Sequence, residues 1–258
     1  MMHRPLSFIS LVAYDYEYLA DSIKSYYEIA DEIILGLDEN KKTWSGNDFE
    51  IDFGKLEATL RKIDYAGKIK LVQSDFYKFD KPIYNDTYER NYLSLHCKEN
   101  NWIISIDADE RLMNPIEFND WMSKLDMNRQ PESCNILATW WNVFKVIDGK
   151  KLYINSVSSI APIGTYLRNS YRYARWANFD NTSYRGPEIL SPLNLEHFCY
   201  GRTEQQVWQK LCNWGHAKDF DVEKFYNLWK SITLENYHTF KNFHPANGAE
   251  WPELVILD

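Results

Sequence analysis

Asp107 and Asp109 follow the run Trp102-Ile103-Ile104-Ser105-Ile106, which is apolar except for one Ser. Such a run reads as a buried strand, and the carboxylates begin where it should end. Side chains alternate along a strand, so continued extension would point Asp107 and Asp109 the same way. Two carboxylates that close are costly to bury without a cationic partner. Their hard oxygens suit Mg²⁺ or Mn²⁺, ions that commonly bridge to a substrate phosphate. The expected metal ligands are therefore Asp107 and Asp109, and the competing reading is an acidic loop at a strand end. A calcium loop is excluded, because Asp107-Ala108-Asp109-Glu110-Arg111 lacks the Gly and the further oxygen ligands.

The elements that must position this pair alternate in type. Residues 7–13 read as a first buried strand, 17–29 as a helix and 32–37 as a second strand ending at Asp38. A polar loop from Asn40 to Asp48 leads to a helix over 51–64, a third strand over 68–72 and a helix over 88–98. The strand of the Asp pair comes next. This alternation predicts an α/β fold: a doubly wound, mostly parallel sheet with helices on both faces, plus a smaller acceptor-side region. Such sheets bind ligands outside the carboxyl ends of their strands. Asp38, Asp75 and the Asp107/Asp109 pair all fall at such ends.

These residues carry a resemblance. The chain up to about residue 115 resembles the nucleotide-sugar-binding half of family 2 glycosyltransferases of the GT-A fold. That family's first strand commonly ends in Thr-Tyr-Asn-Glu, and here Ala13-Tyr14-Asp15-Tyr16-Glu17 stands there. Its second strand ends in an Asp that holds the base or ribose, matched by Asp38. Its Ala-Arg-Asn stretch is matched by Glu89-Arg90-Asn91, and its Asp-x-Asp by Asp107-Ala108-Asp109. The back half resembles a branch that adds sugars to lipopolysaccharide cores and related glycans. There the matching segments are Gly186-Pro187-Glu188, then Glu196-His197-Phe198, then a helix from Glu204 to Lys218 carrying Lys210.

The resemblance implies a metal-dependent inverting transferase, a hexosyltransferase of polysaccharide biosynthesis. It would move a sugar from a nucleoside-diphosphate donor, UDP-sugar first, to a hydroxyl of a glycan acceptor. It implies Mn²⁺ or Mg²⁺ on Asp107, Asp109 and His197. The donor would lie against Ala13, Tyr14, Glu17, Asp38, Asp75, Arg90, Asp107, Ala108 and Lys210. A carboxylate must take the acceptor's proton; Glu188 is the first choice, with Asp180 and Glu196 as alternatives. The branch's His-Glu pair is missing, since Pro187 precedes Glu188.

Each residue has a plainer reading. Asp38 could cap a turn, Arg90 could face solvent on its helix, and His197 could be a core histidine. Trp140, Trp141 and Trp176 read as core before they read as sugar platforms. Arg168, Arg172 and Arg175 read as a solvated basic face before they read as a surface for an anionic acceptor such as a phosphorylated glycan. A nucleotidyltransferase would share the sheet, but it normally carries a Gly-rich basic loop where this chain has Tyr14-Asp15-Tyr16-Glu17. A non-catalytic nucleotide-sugar or glycan binder is the third reading.

Composition narrows the class. A chain of 258 residues can bury a sizeable core and is read as one domain. Its expected parts are a donor half (1–115), an acceptor and catalytic half (116–220) and a helical tail (221–258). The formal net charge of −8 argues against a nucleic-acid partner. No apolar run approaches the roughly 18–20 residues of a membrane span. Cys97, Cys134, Cys199 and Cys212 lack metal or disulfide spacing and read as reduced thiols. The expected location is cytoplasmic, with peripheral association at the inner membrane face as a further expectation.

Overall fold

Strands buried on both faces appear in sequence as nearly unbroken apolar runs, and the first strands of this chain obey that rule. In a computed structural model, residues 4–125, 134–156, 159–177, 187–213, 217, 219–245 and 247–257 are described. The first half runs β1 (Leu6–Val12), α1 (Leu19–Tyr26), β2 (Glu32–Asp38), α2 (Phe53–Ile63), β3 (Ile69–Ser74), α3 (Pro82–His96) and β4 (Trp102–Ser105). A short β5 (Glu110–Leu112) and α4 (Pro115–Lys124) follow. The second half has β6 (Asn135–Ile147), β7 (Lys150–Asn155), β8 (Ile160–Thr165), β9 (Tyr171–Tyr173), β10 (Trp176–Ala177) and β11 (Glu188–His197). It closes with α5 (Glu204–Asn213), α6 (Val222–Ser231) and β12 (Glu253–Ile256).

The central sheet starts with four parallel strands in the order β3-β2-β1-β4. It then turns antiparallel through β8, β6, β7 and β12. Alternation along β1 divides the packing. Phe8 and Val12 join Leu19, Ile23 and Tyr26 of α1 and Leu56 of α2 in one buried cluster. Ile9 and Leu11 join Leu93 of α3 in another. Helices thus cover both faces, as the alternating pattern predicts. Gly36 permits the close approach of α3: a Cβ there would meet Leu93 Cδ1 at 2.7 Å and Glu89 Oε1 at 2.8 Å.

Two boundaries differ from the sequence reading. Helix α3 starts at Pro82, not near Tyr88. Proline fits a first helical turn because its missing N–H has no intrahelical partner to lose. The polar residues Asn85, Asp86, Glu89 and Arg90 obscure this helix in sequence, since they form its buried face. The tail is not wholly helical. After α6 it ends in β12, which pairs antiparallel with β7. Leu254 of β12 packs with Phe144, Phe225 and Trp229 in a separate aromatic core. No helix among the described residues is long and apolar enough to cross a membrane. All four cysteines are free thiols.

Candidate active site

The carboxyl ends of β1, β2 and β4 open into a cleft of about 490 Å³. Ala13, Tyr14 and Asp15 line it after β1, Asp38 and Trp44 after β2, and Asp107, Ala108 and Asp109 after β4. Helix α3 contributes Asp86, Glu89 and Arg90; the second half contributes Trp140, Tyr173, Arg175, Trp176, His197 and Lys210.

The Asp pair does not continue the strand. Strand β4 ends at Ser105, and the chain turns over Ala108 and Asp109 before β5. Strand alternation therefore does not govern the two carboxylates, and they face different partners. Asp107 accepts from Arg90 Nη2 at 3.0 Å and pairs with Arg175 Nη2 at 2.5 Å. Asp109 Oδ2 accepts from Arg202 Nη2 and from Lys210 Nζ, the latter at 2.5 Å. Burial alone would raise both carboxyls. Lys210, Arg202 and His197 instead hold Asp109 well below the usual carboxylate range. Arg175 and Arg90 bring Asp107 below it as well.

Three cationic or basic groups reach Asp109 through one piece of chain. Strand β11 pairs antiparallel with β5, so His197 lies opposite Glu110. The Phe198 N–H donates to the Asp109 carbonyl at 2.9 Å, which ties the end of β11 to the carboxylate turn. In the following turn Arg202 Nε donates to the Phe198 carbonyl at 2.8 Å. Helix α5 then buries Val207, Lys210 and Leu211 on one face, since residues three and four apart share a helix side. Lys210 Nζ lies 3.3 Å from His197 Nε2 and completes a triangle with Asp109 Oδ2. On the other side of the ring, His197 Nδ1 lies 2.7 Å from Asn142 Oδ1. Nε2, on the opposite edge, faces both the Lys210 ammonium and Asp109 Oδ2. Trp140 stacks on the imidazole, with centroids 4.7 Å apart.

Glu110 braces the site without lining the cleft. It is fully buried and accepts from Arg175 Nη2 at 2.8 and 2.9 Å, from Trp140 Nε1 at 3.1 Å and from the Asp107 N–H at 2.9 Å. On α3, Glu89 accepts from Trp44 Nε1 at 2.8 Å. Burial pushes the Glu89 carboxyl up to about 8.

The expected site residues divide into those that meet at the cleft and those that do not. Ala13, Tyr14, Asp38, Arg90, Asp107, Ala108, Asp109, His197 and Lys210 all line it. Asp38, however, is committed to the backbone. Its Oδ1 accepts from the N–H groups of Asn40 and Lys42, both at 2.9 Å, and its Oδ2 from that of Phe76 at 2.7 Å. Arg90 is not solvent-facing. It donates to Asp86, Ser105 and Asp107, which makes it a positioning residue for Asp107. Glu17 pairs with Lys55, and Asp75 with Lys78 at 2.7 Å, outside the residues that line the cleft.

The first choice of base, Glu188, is also displaced. It is exposed at the first residue of β11, whereas His197 is the last. At about 3.3 Å per residue that is roughly 30 Å of strand. Glu196 is displaced by alternation. With His197 turned into the cleft, its neighbour points away, accepting from Lys151 Nζ at 2.6 Å and Tyr153 Oη at 2.7 Å. Asp180 lies outside the described residues.

Sequence reasoning missed Arg175, Arg202, Glu110, Glu89 and Trp44. Arg175 parts from Arg168 and Arg172, with which it forms one basic run in sequence. Arg168 pairs with the exposed Glu99, but Arg175 is only 7% exposed. Trp140 and Trp176 line the cleft, and Trp141 instead donates to Asn194 at 3.1 Å.

The donor set does not form a ready metal shell. Among the described residues no three His, Cys, Asp or Glu side chains converge to hold an ion. Asp109 Oδ2 is already shared by Arg202 and Lys210.

No protein-family model matches the sequence, and no curated protein matches it. Among solved structures, TarS 1-349 of S. aureus is 11% identical, with 90% of this chain and 76% of that chain covered and a TM-score of 0.42. A mycobacterial protein is 10% identical, with 98% and 83% covered and a TM-score of 0.42. A 4-diphosphocytidyl-2C-methyl-D-erythritol synthase is 8% identical, with 81% and 99% covered and a TM-score of 0.41. Likenesses this low carry no argument about activity.

Proposed function

We propose that the chain is a glycosyltransferase that moves a sugar from a nucleoside-diphosphate donor to a hydroxyl acceptor, with inversion. One observation carries this reading. The cleft at the carboxyl ends of parallel strands gathers Asp107, Asp109, Arg175 and Lys210 beside the aromatic walls of Trp44, Trp140 and Trp176. Ligands of open α/β sheets sit in that crevice. Indole faces suit a nucleobase or the apolar face of a pyranose.

The chemistry follows from the residues. Breaking the glycosidic bond leaves negative charge on the departing diphosphate. Fixed cations aimed at that charge lower the barrier, since they need no reorganisation as it develops. Lys210 and Arg175 line the cleft and are held in place by Asp109 and Glu110. Arg90 orients Asp107, and Trp140 and Asn142 orient His197. The acceptor hydroxyl gives its proton to a carboxylate base. With Glu188 and Glu196 turned from the cleft, Asp180 is the remaining sequence candidate.

The test is a thermal-shift screen of UDP-, GDP-, CMP- and dTDP-sugars, followed by product analysis with the stabilising donor. Release of nucleoside diphosphate with transfer or hydrolysis of the sugar is expected, with a UDP-sugar as the first donor to stabilise the protein. Release of pyrophosphate from a nucleoside triphosphate and a sugar phosphate would replace this reading with a nucleotidyltransferase. Binding of a nucleotide sugar without turnover would leave a binding protein.

A further inference from the structure

The family resembled by the sequence places a divalent ion on its Asp-x-Asp and late His. Here the corresponding space is filled by a side chain. Lys210 Nζ lies 2.5 Å from Asp109 Oδ2 and 3.3 Å from His197 Nε2, while those two atoms are 3.3 Å from each other. A bridging ion would contact the same oxygen and the same nitrogen. Lys210 is no surface lysine that strayed inward: it is 7% exposed and anchored on the buried face of α5.

Charge matching points the same way. Asp107 meets Arg90 and Arg175, and Asp109 meets Arg202 and Lys210. The same arginines also meet Asp86, Glu110 and Asp15. Every carboxylate in the cluster already has a cationic partner. An ion on Asp109 Oδ2 would have to evict Lys210 or Arg202.

We infer that this site works without a divalent ion, with the Lys210 ammonium in the ion's place between Asp109 and His197. Its part in holding a diphosphate rests on the glycosyltransferase reading; the absence of an ion rests on the geometry alone.

Two measurements separate them. Mn²⁺ titrated into the wild-type protein and followed by electron paramagnetic resonance should show no site at protein-level stoichiometry. UDP affinity by calorimetry should be the same in chelator and in Mn²⁺. Lys210→Ala should lose affinity for UDP in chelator by about tenfold to a hundredfold, the worth of a hydrogen bond to a charged group. With Asp109 and His197 uncovered, that variant should gain a Mn²⁺ signal and recover part of its UDP affinity in Mn²⁺. A wild-type protein that takes up Mn²⁺, or that binds UDP at least about tenfold tighter with Mn²⁺, overturns the inference. If neither UDP nor GDP, CDP, ADP or dTDP binds under either condition, the glycosyltransferase reading falls, and the Mn²⁺ titration of the wild type still decides the ion. Circular dichroism of Lys210→Ala separates a lost fold from a lost site.

Discussion

Removing the Asp109 carboxylate should unbalance the protein as well as the site. In Asp109→Ala, Lys210 loses its carboxylate, and Arg202 keeps only Asp15, at 3.3 Å. Both cations are more than nine-tenths buried. Breaking a buried pair by deleting one partner costs about 3–5 kcal/mol, because the other charge stays desolvated and unmatched. Two stranded cations put this case at the upper end, against a total stability of about 5–15 kcal/mol for ordinary domains. The assay is urea unfolding of wild type, Asp109→Ala, Lys210→Met and the double variant. The double variant should recover part of the loss, giving a coupling of roughly 1–3 kcal/mol. The pH dependence has a fixed sign. Asp109 is held well below its ordinary value in the folded chain. Its contribution is therefore complete above the unfolded carboxyl pKa of about 3.9 and fades only as pH falls toward the folded value. The gap between wild type and Asp109→Ala should be flat from about pH 5 to pH 8 and shrink below about pH 4. A single-variant loss under about 1 kcal/mol, or a gap that widens in acid, would refute the idea that these cations depend on Asp109.

Glu89 should show the opposite dependence. Burial raises its folded pKa to about 8, so between roughly pH 4.5 and 8 the unfolded chain sheds a proton that the folded chain keeps, and stability falls as pH rises. Glu89→Gln, which can still accept from Trp44, should gain on wild type across that window in urea unfolding; no gain by about pH 8 would mean that Glu89 is charged in the fold. Asp38→Ala should release the N–H groups of Asn40, Lys42 and Phe76, at a cost of about 1–3 kcal/mol for the buried one. Amide exchange read by mass spectrometry should accelerate at those positions, and unchanged protection would show that the turn does not rely on the carboxylate. For the base, Asp180→Asn should lower turnover by about 10²–10⁴-fold while Glu188→Gln stays near wild type. The reverse outcome in a donor-turnover assay would restore Glu188 and contradict its position at the far end of β11.

Much of the scaffold was determined by the sequence itself. A strand covered on both faces must be apolar throughout, so the runs that became β1, β2 and β4 announced themselves. Their alternation with helices placed the ligand edge at Asp38 and at Asp107 to Asp109. The same logic failed wherever polarity was buried. Helix α3 turns Asn85, Asp86, Glu89 and Arg90 toward the sheet, so its start was hidden and Arg90 could pass for a surface residue. Strand alternation separates Glu196 from His197, although both stand among the residues expected at the site. It could not show which end of β11 meets the cleft, because pairing partners and register are set by contacts far along the chain.

The ion pairs belong wholly to the tertiary structure. Arg202 and Lys210 reach Asp109 across 93 and 101 residues, and Arg175 reaches Glu110 across 65. Such pairs leave no period in a sequence, since each is a single meeting of two charges and not a repeating face. In sequence, Arg175 looks like Arg168 and Arg172. Only packing against Glu110 and Asp107 makes it buried, and only the docking of α5 turns Lys210 from a helix lysine into the cation beside Asp109. The residue types alone made the Asp pair a place for a cation, because buried carboxylates require one. Which cation answers that requirement depends on what the fold brings within reach.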